Sequence, residues 1–192
     1  MTEVLQAVAD KVRISDPAHG SSKGKRETFA RLVRQAFQKS PAADVVLPNG
    51  SVLIVDSAKK VFYSSRSTDE LVALLRNQRR LEGKVVPVAS VEKFADRLAR
   101  WEIKPRPLEV LLWLTGLVSG AGESLGGWDP KAPVRLTRWP DFAVLPYRQG
   151  HVKMAAMLTK DGALAGAVAQ ACEVAPGDVA DFLNACAEIG IL

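Results

Sequence analysis

The chain has 192 residues, of which 47% are hydrophobic, enough to bury one good core or two small ones. No run approaches the roughly 18 consecutive apolar residues that a membrane span needs, which argues against a membrane protein. The start, Met-Thr-Glu-Val-Leu-Gln, lacks the basic residues and apolar block of a secretory signal. The sequence therefore predicts a cytoplasmic, folded protein.

The net charge of +5 is distributed unevenly along the chain. All 26 basic residues lie before residue 161, so residues 1–160 carry +10, whereas residues 161–192 carry −5. A field of this kind favours acidic partners at the front and also favours head-to-tail self-association.

The first 38 residues contain two predicted helices joined by a linker. Residues 2–12 have apolar side chains at helical spacing, and residues 15–26 are rich in Gly, Ser, Pro and basic side chains. We therefore assign residues 1–26 to an N-terminal helix and a flexible linker. Residues 27–38 return to the helical period with Arg31 and Arg34 beside the apolar face. This basic face is either solvated or contacts an acidic partner or nucleic acid.

From Asp44 the apolar period changes from the helical value to two. The runs 45–47, 52–55 and 61–63 predict a three-stranded antiparallel meander. A turn at Asn49-Gly50 supports the first hairpin, because both residues tolerate positive φ.

A helix and a further strand are predicted after the meander. Ser67-Thr68-Asp69-Glu70 matches a capping box, so a helix begins at Thr68 and buries leucines against the sheet. Residues 84–89 predict a fourth strand, and residues 90–103 predict a helix that ends before Pro105 and Pro107. Together these elements predict an α+β domain over residues 27–104.

Arginines cluster at the end of the helix that begins at Thr68. Arg76, Arg79 and Arg80 lie where cations interact favourably with the helix dipole, which is a sufficient structural explanation. Arg76 and Arg80 also have the spacing Arg-x-x-x-Arg, which resembles the phosphate-gripping arm of PilZ domains. That resemblance implies a cyclic-dinucleotide-responsive effector, but the companion Asp/Asn-x-Ser-x-x-Gly motif is absent and the arginines follow the strands.

Residues 108–118 are apolar almost all round and must be buried either inside the chain or at a subunit interface. Such a helix predicts a homodimer as one possibility. The residues that would form this dimer interface are Leu108, Leu111, Leu112 and Trp113.

The segment after this helix is irregular. Residues 119–127 are rich in glycine and lack a basic residue that would hold a phosphate, so they predict a flexible connection. Residues 134–142 predict an extended segment alongside the C-terminal helices, with Arg135, Arg138 and Trp139 forming a cation and aromatic surface. The Arg-Trp-Pro-Asp-Phe string at 138–142 is similar to the tails of uncharacterised response-regulator-like proteins.

The C-terminal part reads as three short helices, at 152–159, 163–172 and 176–189. Their spacing resembles a helix-turn-helix, with residues of the expected kind in the crossing, the turn and the core of the second helix. These residues are Ala169, Val174, Val179 and Phe182. Because no hairpin follows, the module over residues 152–192, which ends a predicted helical domain over residues 105–192, resembles the truncated winged-helix ends of bacterial signalling and regulatory proteins. That resemblance implies a role in dimerisation or partner docking.

The charge of the last helix argues against insertion into DNA. Residues 161–192 contain five acidic and no basic residues, so this helix would repel phosphate. On the face of the helix predicted to be exposed, Asn184 alone is able to read a base.

Catalytic signals are weak in this sequence. His19 lies in the linker and His151 stands alone, and no metal-ligand or nucleotide motif is present. Cys172 and Cys186 are predicted to be buried free thiols. No catalytic residue, metal or cofactor is therefore assigned.

The fold prediction is α+β, a small antiparallel meander with packed helices followed by a three-helix, helix-turn-helix-like module. The function hypothesis is a non-enzymatic bacterial regulatory protein that acts by protein–protein interaction or dimerisation. The alternatives are a DNA-binding regulator that uses its basic N-terminal part and a cyclic-dinucleotide effector.

Overall fold

The computed structural model describes residues 42–46, 52–77, 84–87, 96–100 and 102–192, together with Gln38. Predictions for residues 2–26, and for 27–38 apart from the helical Gln38, lie outside the described residues. Five strands and five helices are described with their bounds, and residues 96–100 are also helical. In chain order the elements are β1 (Ala42–Val46), β2 (Val52–Asp56), β3 (Val61–Tyr63), α1 (Thr68–Asn77), β4 (Lys84–Pro87), β5 (Arg106–Pro107), α2 (Leu108–Ser119), α3 (Gln149–Lys160), α4 (Ala165–Cys172) and α5 (Pro176–Glu188).

The α+β class is confirmed, and the strands form one antiparallel sheet in the order β4-β1-β2-β3-β5. The predicted meander is its centre, with Val45 opposite Leu53 and Val55 opposite Phe62. The predicted fourth strand pairs with β1 rather than with β3. β1 is therefore an interior strand with a partner on each side.

The strand β5 is an addition that the sequence did not predict. Pro105 and Pro107 were interpreted only as helix terminators, yet Arg106 and Pro107 pair with Phe62 and Val61 at the edge of the sheet. An edge strand tolerates proline, because the missing N–H removes no bond from the interior of the ladder. β5 leads directly into α2, two residues after the predicted domain boundary at residue 104.

The capping box at the start of α1 is confirmed. The backbone N–H of Glu70 donates to Oγ of Ser67 at 3.2 Å, and the backbone N–H of Ser67 donates to Oε2 of Glu70 at 2.8 Å. These reciprocal bonds satisfy two N–H groups that a helix start otherwise leaves unpaired. Leu71 and Leu75 are buried below the cap, as predicted.

The two faces of the sheet are covered differently. Ala43, Val45, Leu53, Val55 and Phe62 share a buried cluster with α1 and α2. On the other face, Ile54 and Tyr63 pack with Leu98 and Ile103.

An ion pair lies on this second face of the sheet. Both terminal nitrogens of Arg97 donate to the carboxylate of Asp44, at 2.6 and 2.7 Å. Asp44 is 9% exposed, so this bidentate pair gives a nearly buried carboxylate the partner that it needs.

The three predicted C-terminal helices are observed as α3, α4 and α5, and α5 lies at the centre of this part. Seven of its thirteen residues are buried. It packs against α2 so closely that a Cβ placed on Gly116 would lie 2.5 Å from the backbone nitrogen of Ala185. The buried cluster is continuous from Ala43 to Ile191, and α2 connects the sheet with α5.

The glycine-rich loop, residues 119–127, was predicted to be a flexible connection, and this prediction is wrong. The backbone N–H of Gly122 donates to Asp181, and that of Leu125 donates to Oδ1 of Asn184, at 2.9 and 3.0 Å. Asn184 donates in return to the carbonyl of Glu123 at 2.8 Å. Asn184 is only 2% exposed; it fixes the loop to α5 and is not available to read a base.

Candidate protein-docking surface

Exposed apolar side chains concentrate on one loop before α3. Among the described residues, five large hydrophobic side chains are exposed, and Trp139, Val144 and Tyr147 lie within nine residues of one another in the chain. Their exposed fractions are 44%, 44% and 54%. We call residues 138–148 the aromatic loop. Clustered exposed apolar side chains make this loop a candidate contact surface.

The aromatic rings of this loop form a continuous row. The ring of Phe142 lies between two exposed rings, with centroid distances of 5.8 Å to Trp139 and 4.9 Å to Tyr147. Phe142 is half-buried and meets Trp113 edge-to-face at 6.3 Å. The row is therefore anchored at its middle to the protein core.

Hydrogen bonds fix the backbone of the aromatic loop. The carboxylate of Asp141 accepts the N–H of Ala143, and the carbonyl of Asp141 accepts the N–H of Leu145 at 2.8 Å. Leu145 is 1% exposed and acts as an apolar anchor. The indole N–H of Trp113 donates to the carbonyl of Pro146 at 2.8 Å. Because the loop is fixed in this way, little conformational entropy remains to be lost on binding.

The residues that precede the loop are attached to the C-terminal helices, as predicted. Val134 forms a β-bridge with Ala163, and the N–H of Leu136 donates to the carbonyl of Leu158. The N–H of Thr137 donates to the carbonyl of Ile191 at 2.8 Å. The loop is therefore fixed on both sides.

Two polar groups of the row are free for a partner. Neither the indole N–H of Trp139 nor the hydroxyl of Tyr147 has a hydrogen-bond partner within the described part of the chain. Exposed rings with an unused donor are typical of interface hot spots, because they offer apolar area and a directional bond together.

The aromatic loop carries charges of both signs, with Arg138 and Arg148 basic and Asp141 acidic. Arg138 donates to Glu109 at 2.8 Å, so this cation is already paired. Arg135 and Arg148 are exposed and form no ion pair with a described residue. Arg135, Arg138 and Trp139 are each exposed, and the surface predicted from them remains a prediction.

The described groups most suited to chemistry are buried. His151 packs against the rings of Trp113 and Phe182, and burial, with the nearby charge of Arg148, lowers its pKa from 6.5 to about 4. Burial raises the pKa of Cys172 and that of Cys186. The imidazole is thus neutral and both sulfurs are thiols at neutral pH, which makes them poor proton donors and nucleophiles.

The basic residues predicted as contacts fall in different places. Arg76 is exposed in the last turn of α1, whereas Arg31, Arg34, Arg79 and Arg80 lie outside the described residues. The remaining predicted contacts, Arg135, Arg138 and Trp139, are exposed and lie in the aromatic loop or just before it in the chain.

The residues predicted for a dimer interface are mostly covered within the chain. Leu108, Leu111 and Trp113 are 8%, 0% and 0% exposed, and Leu112 is partly exposed. The sequence left open burial inside the chain or at a subunit interface. The structure shows burial inside the chain for Leu108, Leu111 and Trp113.

Comparisons with protein-family models, curated proteins and solved structures find no match. Among the described helices, none has the length and apolar character to cross a bilayer. The described residues also contain no cluster of three or more metal-ligating side chains.

Sequence reasoning identified Trp139 but did not include Val144 or Tyr147 in the surface. The signal available was the string Trp-Pro-Asp-Phe-Ala-Val-Leu-Pro-Tyr, in which two prolines interrupt any regular element. Apolar residues outside a helix or strand often lack a partner to cover them. Which of these apolar residues are buried depends on contacts with Trp113, which is distant in the chain, and therefore on the fold.

Proposed function

We propose that this chain is a non-enzymatic regulatory or signalling protein of bacterial type that acts by binding another protein through the aromatic loop. The observation that carries the proposal is the row Trp139–Phe142–Tyr147, exposed on a backbone that hydrogen bonds hold in place. A binding role is supported over a catalytic one by the burial of His151.

The energy available from this surface suits a reversible complex. About half of each outer ring lies in water, which corresponds to on the order of 100 Å² and roughly 2–3 kcal/mol on burial of each ring. Association itself costs several kcal/mol. A partner that covers both rings and Val144 is therefore expected to dissociate readily, as regulatory complexes do.

The test is affinity capture from a bacterial lysate with three versions of the full chain. These are the wild type, the double variant Trp139→Ala/Tyr147→Ala, and the control Leu164→Ala, which removes a large exposed side chain (46% exposed) away from the loop. We expect the wild type and the control to retain the same protein and the double variant to lose it. Retention of the same protein by all three versions would exclude this surface as the contact.

A second copy of the chain is one form that the partner takes in this proposal. Size-exclusion chromatography with light scattering distinguishes it from a different protein. A wild-type dimer that the double variant Trp139→Ala/Tyr147→Ala converts to a monomer would identify the partner as a second copy. A wild type that remains monomeric at high micromolar concentration would exclude self-association.

Single-stranded nucleic acid is the competing ligand, because aromatic rings beside cations also provide a stacking platform for bases. Arg135, three residues before the loop, and Arg148, its last residue, are exposed and form no ion pair with a described residue. A mobility-shift titration at two salt concentrations separates the two functions, since each neutralised phosphate makes binding steeply dependent on salt. The absence of a shift at low salt would remove nucleic acid.

A further inference from the structure

His151 lies at the junction where the aromatic loop ends and α3 begins. We infer that His151 is an acid-sensitive cap: its neutral ring holds the end of the loop and the first turn of α3 in place, and its charged ring releases both. This is a conformational property of the fold, and it holds whether or not another protein binds the loop.

The hydrogen bond at this junction requires a nitrogen without a proton. The backbone N–H of Arg148 donates to Nδ1 of His151 at 3.3 Å. A backbone N–H only donates, so Nδ1 is the acceptor and the neutral imidazole carries its proton on Nε2. His151 is the third residue of α3 and Arg148 precedes the helix. The ring therefore makes the bond that a glutamate or glutamine side chain makes in a capping box.

Protonation of the ring removes this acceptor. A charged imidazole carries a proton on both nitrogens, so the N–H at Nδ1 of His151 would face the backbone N–H of Arg148. Two donors do not bond to each other, and an N–H group at a helix start needs a partner. Only the neutral ring is therefore able to cap α3.

The surroundings of the ring also disfavour its charged form. His151 is 8% exposed, and its centroid lies 6.0 Å from that of Trp113 in α2 and 5.5 Å from that of Phe182 in α5. Of the charged groups near it, Arg148 opposes a positive ring, whereas Asp178 in the first turn of α5 favours one. Burial together with Arg148 outweighs Asp178 and lowers the pKa of His151 from 6.5 to about 4.

Trp113 connects the histidine with the aromatic loop. Its indole N–H donates to the carbonyl of Pro146 at 2.8 Å, and its ring meets that of His151 edge-to-face. If the ring of His151 moved out into water, Trp113 would lose this neighbour and the N–H of Arg148 would lose its acceptor. Two hydrogen bonds at the end of the loop would therefore weaken together.

Opening of the junction should increase as the pH falls. In the open form the ring lies in water and its pKa returns towards 6.5, whereas in the closed form it is about 4. The closed form is thus favoured fully above about pH 6.5 and loses this advantage as the pH drops towards 4. Between pH 7 and pH 4.5 the equilibrium constant for opening should rise by up to about fiftyfold.

Long-range proton–nitrogen NMR of the full chain tests the protonation state of the ring. The chain has two histidines, so comparison with His151→Gln assigns the signal of His151. We expect a proton on Nε2 at pH 7 and a neutral ring at pH 5.5, where an ordinary histidine is mostly charged. A proton on Nδ1 at pH 7, or a charged ring at pH 5.5, would overturn the inference.

Hydrogen exchange tests the release of the junction. The reporters are the backbone N–H of Arg148 and the indole N–H of Trp113, and the reference is the backbone N–H of Val55 in the interior strand β2. We expect the protection of the reporters, corrected for intrinsic exchange, to fall by up to about fiftyfold between pH 7 and pH 4.5. It should then lie below that of Val55, as in a local opening.

Two variants separate the acceptor from the charge. Glutamine accepts the N–H of Arg148 but does not titrate, so His151→Gln should keep the reporters protected and remove the fall at low pH. His151→Leu fills the apolar space without an acceptor and should leave the reporters less protected at pH 7 as well.

The wild type and His151→Gln decide the outcome even if His151→Leu does not fold. The same fall in reporter protection in both proteins would show that another group titrates. Equal protection of the reporters and of Val55 at every pH would show that the chain opens only as a whole. Either result would refute the acid-sensitive cap.

Discussion

The same substitution, glycine to alanine, should change stability in opposite directions at two helical positions. Gly116 in α2 meets α5, where an added Cβ would lie 2.5 Å from the backbone nitrogen of Ala185 and 2.8 Å from the carbonyl carbon of Asn184. Gly166 in α4 has no atom within 4 Å of the corresponding position. The two sites share the chemistry of the change and differ in the space available, and Gly166 also lies in the first turn of its helix.

Two free-energy contributions, one from the unfolded chain and one from packing, determine the expected change in stability. Replacing glycine by alanine inside a helix contributes about 0.5–1 kcal/mol of stability, because the unfolded chain loses freedom. At Gly116 the obstacle is backbone, so α2 and α5 must separate, and overpacking of this kind costs about 1–3 kcal/mol or more. We expect Gly166→Ala to stabilise by about 0.5–1 kcal/mol and Gly116→Ala to destabilise by about 1–2 kcal/mol net.

Urea denaturation followed by circular dichroism measures both variants against the wild type. A change in midpoint with an unchanged slope shows that stability, and not the extent of unfolding, has changed. Stabilisation by Gly116→Ala would refute the close approach of α2 and α5, and with it the position of α5 at the centre of the C-terminal part. Gly166→Ala is the matched control, because it tests the helix term alone.

Three further variants test other parts of the structure. Asn184→Ala should lower the free energy of unfolding by about 2–4 kcal/mol, because it removes the partners of three groups in and beside the glycine-rich loop; a urea midpoint equal to that of the wild type would contradict this. Trp113→Phe removes the donor to Pro146 and should cost about 1–2 kcal/mol and weaken partner capture; capture at full strength would show that the bond does not order the loop. His151 has a pKa lowered from 6.5 to about 4, so the unfolded chain binds the proton more readily than the folded chain does. The free energy of unfolding should therefore be highest above about pH 6.5 and fall by at most about 3 kcal/mol as the pH drops towards 4. Urea midpoints of the wild type and His151→Gln across this range check it, and identical pH dependence in both would disprove the assignment.

Local patterns predicted the local elements well. The capping box at Ser67–Glu70, the strand at Val61–Tyr63 and the proline that begins α5 depend on interactions within a few residues, and each is observed where it was predicted. Helix starts and short hairpins are determined by residues close together in the chain, so the sequence alone predicts them.

Interactions between distant residues were not predictable in the same way. The pairing of β4 with β1, the short β5 and the bond from Asn184 to the glycine-rich loop join residues far apart in the chain. Asn184 looked exposed because helical periodicity identifies only one covered face, whereas α5 is covered on several. Only part of the candidate site could be predicted from the sequence. Trp139 follows an arginine in the sequence, whereas the exposure of Tyr147 depends on the fold.

Helix α2 touches both the sheet side and α5, which has a consequence for how this gene tolerates rearrangement. A fragment that ends before Leu108 would expose the leucines of α1 to solvent, because α2 packs against them. A fragment that begins at Leu108 would expose the side of α2 that packs against the sheet. Either remnant would tend to aggregate. Recombination that splits the coding region near this helix should therefore be poorly tolerated, and the two halves should be transferred together.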